Sequence, residues 1–175
     1  MSDEAFGAVL VTARLRVVPA TQTMISAEIG DRDRLAALLD AELPADWPPE
    51  HHDHETLTFW REQLSQPGAA GWWLHYVLLA DSARPTLVGT LGFKGPPVDG
   101  VVEIGYSVVP SWQRLGLATE GCRALIEAAW ERGAEVVVAH TLEHLEPSIG
   151  VLRKLGFQRA ESSEPDVLEF RLCRG

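Results

Sequence analysis

Long apolar segments are missing from this chain of 175 residues. No run approaches the ~20 residues that a membrane-spanning helix needs. The N-terminus has no basic segment followed by an apolar one, so we expect no secretory signal and a cytoplasmic location. Hydrophobic residues nevertheless make up 46% of the chain, which is enough to bury a sizeable core. We therefore expect one domain over residues 1–175.

Cysteine and basic residues are scarce as well. The chain has 2 cysteines, and a lone pair in a cytosolic protein is expected to stay unpaired, with Cys122 as a small core residue of a helix. Lys and Arg number 15 against 25 Asp and Glu, a net charge of -10. Nucleic-acid binding needs clustered cations, so we expect no nucleic-acid partner. This charge suits an amine-bearing substrate better.

The glycine-rich fingerprints of nucleotide-binding proteins are also absent, since neither G-x-G-x-x-G nor G-x-x-x-x-G-K-[ST] occurs. Residues 113–120 instead join an apolar strand pattern to an amphipathic helix pattern. A turn there would direct unpaired N–H groups and the positive helix end toward one point. Gly116 would let the backbone approach an anion, and Ala118 would keep the first turn small. The segment predicts a pyrophosphate loop, with an ordinary strand-to-helix turn as the alternative.

The remaining pattern predicts an α/β (α+β) fold with a central mixed sheet of six to seven strands flanked by helices. Strands are predicted at 10–19, 72–80, 86–94, 101–109, 136–139 and 166–171. Helices are predicted at 31–42, at 54–66, after the loop at 113–120, and at 147–157. The order strand, loop, helix, strand around the anion loop predicts a right-handed β-α-β unit.

Acidic and aromatic residues cluster in the N-terminal half. Residues 40–62 contain seven Asp and Glu against one basic residue, Arg61. Charge pairing and cation–π contact are what an amine site needs. Trp60, Trp73 and His75 are accordingly predicted to contact a substrate. The alternative is a solvated helix face with its aromatics in the core. The apolar segment 71–80 could equally serve a homodimer.

Glu103 is the candidate catalytic base. On an alternating strand it shares a face with Gly105 and Ser107, two small residues that leave room for a substrate beside the carboxylate. The alternative is a salt bridge across the sheet with Lys94.

Histidines cluster at residues 51–54, but zinc needs three or four ligands and no further Cys or His completes a set. We therefore predict no metal site and interpret this segment as a solvated helix N-terminus.

These motifs resemble those of the GNAT acetyltransferases, which carry V-x-P-x-x-[QR]-x-x-G-x-[GA] at this junction and K-x-G-F near the C-terminus. The residues that match are Val108, Pro110, Gln113, Gly116, Ala118, Lys154, Gly156 and Phe157. The branch that the chain most resembles contains the ribosomal-protein N-acetyltransferases. The resemblance covers residues 86–160 and implies an acetyl-CoA-binding half at about 86–175 and an acceptor half at about 10–85.

The resemblance also implies roles for particular residues. Val108 and Val109 would pair with the pantetheine arm where two parallel strands splay, and Glu103 would act as base. The pyrophosphate would meet the segment Gln113, Arg114, Leu115, Gly116, Leu117, Ala118 and Thr119. Ser148 would contact the cosubstrate, or would only form a local bond at a helix start.

Two positions depart from the family pattern. Leu145 stands where many members have an asparagine that reaches the pantetheine, and Leu152 where many have the tyrosine that protonates the leaving thiolate. Two hypotheses follow: an acetyl-CoA-dependent N-acetyltransferase that transfers directly in a ternary complex, and a catalytically silent coenzyme A-binding module acting as sensor or partner protein.

Overall fold

A computed structural model describes residues 7–175. Eight strands form one sheet in the order β1-β2-β3-β4-β5-β6-β8-β7. The strands are β1 Leu10–Val11, β2 Leu15–Pro19, β3 Leu74–Leu79, β4 Thr86–Phe93, β5 Val101–Val108, β6 Val136–Leu142, β7 Gln158–Ala160 and β8 Val167–Cys173. The helices are α1 Gln22–Gly30, α2 Arg32–Leu39, α3 His54–Gln63, α4 Leu117–Glu131 and α5 Glu146–Lys154.

Strands β5 and β6 form the one parallel pair of the described sheet. Their pairing ends at Glu103 and Val138, although β5 continues to Val108 and β6 to Leu142. The two strands therefore separate toward their carboxyl ends, and α4 connects them. This arrangement confirms the predicted α/β fold with splayed parallel strands.

The two faces of the sheet carry separate apolar cores. One core packs β-strand residues such as Val77, Leu91 and Ile104 against α4 and α5. The other packs Tyr76 and Leu87 against α1, α2 and α3. No helix among residues 7–175 is long and apolar enough to cross a membrane.

The cysteines match their prediction. Cys122 is fully buried in the α4 core, Cys173 is exposed, and both are free thiols.

Three elements differ from the sequence prediction. The strand predicted at 10–19 is two strands, because the chain turns at residues 12–14, where Thr12 Oγ1 accepts from Leu15 N. Strand β7 was not predicted and has only three residues. Helix α1 was also missed, because its inward face carries the polar Glu28 beside Ile25 and its amphipathic pattern is weak.

Candidate functional site

The predicted anion loop leads directly into α4. Gly116 is the N-terminal cap of this helix with φ of 77°, in the left-handed region that favours glycine. The first N–H groups of a helix have no acceptor within it. In α4, a helix of 15 residues, they lie at the positive end of the helix dipole. Gln113 ties the loop to the end of β5, because its Nε2 donates to Val108 O at 2.9 Å. The geometry therefore suits an anion bound by main-chain groups.

Arg14 fastens this loop to the N-terminal strands. Its Nη1 donates to Leu115 O at 2.9 Å, and its Nε donates to Glu120 Oε2 at 2.7 Å. Glu120 also accepts from Thr12 Oγ1 at 2.6 Å, and these contacts hold the pKa of its carboxyl below the usual value despite partial burial. Sequence reasoning missed Arg14, because the contact joins residues 101 positions apart.

A groove of about 490 Å³ runs along the outer face of α4 from the anion loop. Gly116 and Thr119 line its beginning, and Arg123 and Lys154 contribute two cationic side chains. Glu120 and Glu127 line the same groove, so it carries charges of both signs next to the anion loop.

The splay between β5 and β6 opens toward the carboxyl end of β5, where the chain leads into the anion loop. Strand β5 alternates its main-chain groups: odd-numbered residues bond to β4, as in Lys94 N to Glu103 O and Val109 N to Val88 O, both 2.9 Å. Even-numbered residues such as Tyr106 and Val108 therefore direct theirs toward the opening. The N–H of Val108 is thus directed toward the opening, while its O accepts from Gln113 and the N–H of Val109 is already bonded to Val88 O.

Hydroxyl groups bridge the opening. Tyr106 Oη lies 3.1 Å from both Ser148 O and Ser148 Oγ, and Thr141 Oγ1 donates to Ser148 Oγ at 3.1 Å. Burial raises the pKa of Tyr106 well above its usual value, so this phenol stays protonated. Ser148 therefore stands beside the splay, while Leu152 is fully buried in the core.

On the opposite face of the sheet, small residues follow the β4–β5 pair. Register places Thr90 opposite Ser107 and Gly92 opposite Gly105, with Lys94 and Glu103 next along the strands. Opposite residues in an antiparallel pair share a face. A Cβ added at Gly105 would meet nothing within 4 Å, whereas one added at Gly92 would overlap the main chain of Trp73, so the open space lies above Gly105. We call this the glycine groove, with Lys94 and Glu103 at one end and Thr90 and Ser107 at the other.

Glu103 closes the exposed end. Its Oε1 lies 2.5 Å from Lys94 Nζ and 2.9 Å from His140 Nδ1. His140 Nε2 lies 3.1 Å from Glu169 Oε2, and Arg171 pairs with that carboxylate. The predicted alternative, a bridge to Lys94, is therefore present, and the Glu103 side chain remains 26% exposed.

The charges in this network reinforce one another. Burial alone would raise the pKa of Glu103, but the hydrogen bonds and charges of Lys94 and His140 outweigh it and lower the pKa. Burial would lower the pKa of His140, but Glu103 and Glu169 outweigh it and raise the pKa. Glu103 is therefore an ionised carboxylate at the open end of the groove near neutral pH.

The other end of the groove abuts a buried polar cluster. His52 Nδ1 lies 2.7 Å from Glu28 Oε1, and His52 Nε2 lies 3.0 Å from Thr90 Oγ1. Tyr76 donates its hydroxyl to Glu28 Oε2 at 2.5 Å. The side chains of His52 and Glu28 are only 2% and 4% exposed. The imidazole is enclosed by the rings of Trp47 and Trp60 at 5.6 and 5.2 Å.

His52 corrects the interpretation of residues 51–54 as a solvated helix start. His51 and His54 are exposed and Asp53 caps α3, but His52 turns into the core. No sequence signal separates His52 from its neighbours, because its partners lie 24 and 38 residues away.

The three predicted substrate contacts do not come together. Trp60 lies in the α1–α3 core against His52, and Trp73 packs edge-on to Phe59 at 5.5 Å. His75 is 1% exposed, and its Nδ1 lies 3.1 Å from Trp73 O. Burial lowers its pKa to about 4, so the imidazole is neutral. By alternation with Val77, His75 faces the α4 core, on the other side of the sheet from the glycine groove.

A family model of known proteins matches most of this chain. Residues 23–158 match the family model described as the acetyltransferase (GNAT) domain. No curated protein sequence shows significant similarity to the chain.

Solved structures share the fold at low identity. RimL, a ribosomal L7/L12 alpha-N-protein acetyltransferase solved with coenzyme A, superposes with a TM-score of 0.68 at 19% identity, covering 95% of this chain and 98% of that one. The ribosomal-protein-S5-alanine acetyltransferase of Vibrio fischeri gives 0.65 at 16% identity, with 95% and 96% covered. The microcin C7 self-immunity acetyltransferase MccE, solved with acetyl-CoA and AMP, gives 0.60 at 13% identity, with 93% and 94% covered.

Proposed function

Because the chain belongs to the GNAT acetyltransferase family, we propose that it transfers the acetyl group of acetyl-CoA to a primary amine by direct attack in a ternary complex. The amine belongs to a small molecule or to a peptide or protein N-terminus. The observation that carries this proposal is the arrangement around β5: an anion loop and splayed strands on one face, and a groove ending in an ionised carboxylate on the other.

Main-chain groups hold the cosubstrate in this proposal. The pyrophosphate meets the amides of Arg114, Leu115, Gly116, Leu117, Ala118 and Thr119. The N–H of Val108 faces the splay and serves the pantetheine or the thioester oxygen, where a preorganised donor stabilises developing charge. Gln113 keeps the loop in place through Val108 O. Ser148 contacts the arm beside Tyr106.

Glu103 removes the first proton of the incoming ammonium. An amine attacks through its lone pair, so the ammonium must lose a proton before attack. Glu103 lies at the exposed end of the glycine groove, and its side chain is 26% exposed, so a proton can pass from it to solvent. Its lowered pKa keeps it ionised near neutral pH and also makes it a weaker base than an ordinary glutamate. The acidic surface, with a net charge of -10, attracts a cationic acceptor.

The silent coenzyme-binding module remains the second candidate, and one observation favours it. A leucine side chain has no donor or acceptor, so Leu152 and Leu145 cannot supply the contacts that the family's tyrosine and asparagine would make. A sensor that binds the coenzyme needs no such groups.

Calorimetry with acetyl-CoA tests the cosubstrate, with CoA and dephospho-CoA as probes of the phosphate contacts. Transfer is then followed by mass spectrometry over an amine panel of tyramine, spermidine, lysine and hexapeptides with free N-terminal serine or alanine. Micromolar binding with acetylation of a panel member supports the enzyme. Binding without any transfer favours the module, and absence of binding removes both.

A further inference from the structure

The buried end of the glycine groove contains a carboxylate, an imidazole and a hydroxyl in series. Glu28 Oε2 accepts from the Tyr76 hydroxyl, and Glu28 Oε1 lies 2.7 Å from His52 Nδ1. We take His52 in the tautomer whose Nδ1 donates to this carboxylate. In a neutral imidazole the other nitrogen, Nε2, then accepts from the Thr90 hydroxyl at 3.0 Å. This is the arrangement by which an imidazole takes a proton from a hydroxyl while a carboxylate stabilises the resulting charge.

Stability does not explain this cluster. Removing a carboxylate and an imidazole from water costs several kcal/mol per charged group, and apolar replacements of similar volume are often more stabilising. Around it, the core is built from apolar and aromatic residues such as Trp47 and Leu57. Buried titratable groups beside a cleft are candidates for function.

Thr90 connects the cluster to the groove. It lies opposite Ser107 across the β4–β5 pair, and the Cβ atoms of such a pair are ~4.5–5.5 Å apart. Two residues along β5, the space above Gly105 is open. The next residue after Ser107 is Val108, whose main chain faces the splay. Thr90 is itself only 5% exposed, and it lies between the buried imidazole and the open space above Gly105.

The proposed reaction requires a second proton transfer. Glu103 accounts for the proton lost before attack, but the nitrogen still carries one proton too many once it has bonded to the acetyl carbon. That proton must leave nitrogen, and the departing thiolate must gain one to become CoA. Leu152 offers no group for this exchange.

We propose that Glu28, His52 and Thr90 form a proton relay for this second transfer. The N–H bond of the tetrahedral adduct breaks to protonate Thr90 Oγ, whose own proton passes to His52 Nε2, and Glu28 balances the imidazolium. As the C–S bond breaks, the proton returns through Thr90 to the thiolate sulfur. Amine and acetyl-CoA thus give amide and CoA with no further reactant. Thr90 is the catalytic contact, and His52 and Glu28 are positioning residues. The inference rests on the proposed function.

Four variants test the relay on the amine panel. Thr90→Val removes the hydroxyl, Thr90→Ser keeps it, and His52→Gln keeps a polar side chain that cannot take a proton. His54→Gln, on the exposed neighbour, is the matched control. We expect Thr90→Val and His52→Gln to lower kcat by ~10²–10⁴. Thr90→Ser should be at least tenfold faster than Thr90→Val, and the Kd of acetyl-CoA should change less than twofold throughout.

If Thr90→Val and His52→Gln lower the melting temperature but keep kcat within threefold of the wild type, the cluster has only a structural role and the relay is overturned. Thr90→Ser being as slow as Thr90→Val would also overturn it. If the wild type acetylates no panel member, the proposed function fails first, and ¹⁵N chemical shifts of the His52 ring then decide. An unprotonated Nε2 at pH 7.5 supports the relay, and a proton fixed on Nε2 overturns it.

Discussion

The two faces of the sheet around β5 build their sites by different means. On the α4 face, the proposed binding groups belong mostly to the main chain: the start of a helix, a left-handed Gly116 and the free edge of a splayed strand. On the other face, the proposed chemistry depends on side chains, with Glu103 partly exposed at one end of the glycine groove and His52 buried at the other. A main-chain site depends on conformation and tolerates side-chain truncation. A side-chain site should fail when one functional group is removed.

The strongest test of this contrast is Glu103→Gln. We expect kcat on the amine panel to fall by ~10²–10⁴, because a positioned base contributes that much. Calorimetry should show an unchanged Kd for acetyl-CoA, since Glu103 lies away from the anion loop. Glu161→Gln, at an exposed position, serves as control. An unchanged kcat would remove Glu103 from the mechanism.

Glu28→Ala tests the buried end through stability. The substitution leaves the imidazole of His52 and the hydroxyl of Tyr76 without their shared acceptor. Breaking a buried pair from one side costs ~3–5 kcal/mol. Urea denaturation should show this loss in the free energy of unfolding, against a small change for the exposed Glu62→Ala. Equal costs for the two variants would contradict the buried pairing.

Gly116→Val tests the main-chain site directly. A branched residue with φ of 77° is strained, and its Cβ would lie 3.4 Å from Arg14 Nη2. Strain of ~1–3 kcal/mol predicts a roughly 10- to 100-fold weaker Kd for acetyl-CoA by calorimetry. Gly133→Val provides the control, because Gly133 has φ of 89° at the far end of α4. Gly133→Val should lower the free energy of unfolding about as much as Gly116→Val, and its Kd for acetyl-CoA should stay unchanged. Normal affinity in Gly116→Val would count against the whole cosubstrate site.

Gln113→Ala should have a smaller effect on the same face. The lost bond to Val108 O is one neutral hydrogen bond, worth ~0.5–1.5 kcal/mol. We expect the Kd for acetyl-CoA to rise by about 2- to 10-fold. A larger loss than in Gly116→Val would reverse the contrast between the two faces.

The smallest effect concerns His140. Its raised pKa contributes stability that is full below pH ~6.5 and is lost as pH rises through the raised value in the folded protein. A partly exposed pair of this kind is worth ~0.2–1 kcal/mol. The melting temperature of His140→Gln should therefore lie below that of the wild type at pH 6 and approach it by pH 8 or 9. His144→Gln, on an exposed residue, should show no such convergence.

The same contrast explains what the sequence could predict. Gly116, Ala118 and the flanking periodicities are local signals, and they correctly placed the β-α-β unit and its loop, whereas the splay was expected from the family resemblance. The glycine groove follows from simple alternation around Glu103. The relay joins α1, the segment before α3 and β4, and no periodicity connects them. The weak pattern of α1, with Glu28 facing inward, concealed both the helix and its partner His52.

Substrate contacts were predicted from residue type alone, and type says nothing about which face of β3 a side chain occupies. His75 and Tyr76 are neighbours in sequence, yet they enter different cores. Only the strand register separates them.

The contact of Arg14 with Leu115 O has a consequence for the order of events during folding. We expect the anion loop to reach its final shape only when the turn between β1 and β2, more than 100 positions earlier, has docked, because Arg14 and Thr12 of this turn bond to Leu115 O and Glu120. Competence to hold the cosubstrate is thus a property of the completed sheet. A fragment that begins at β5 and retains the whole β-α-β unit would contain the anion loop and lack the contacts of Arg14 and Thr12. The affinity for acetyl-CoA can therefore report whether β1 and β2 have docked onto the sheet.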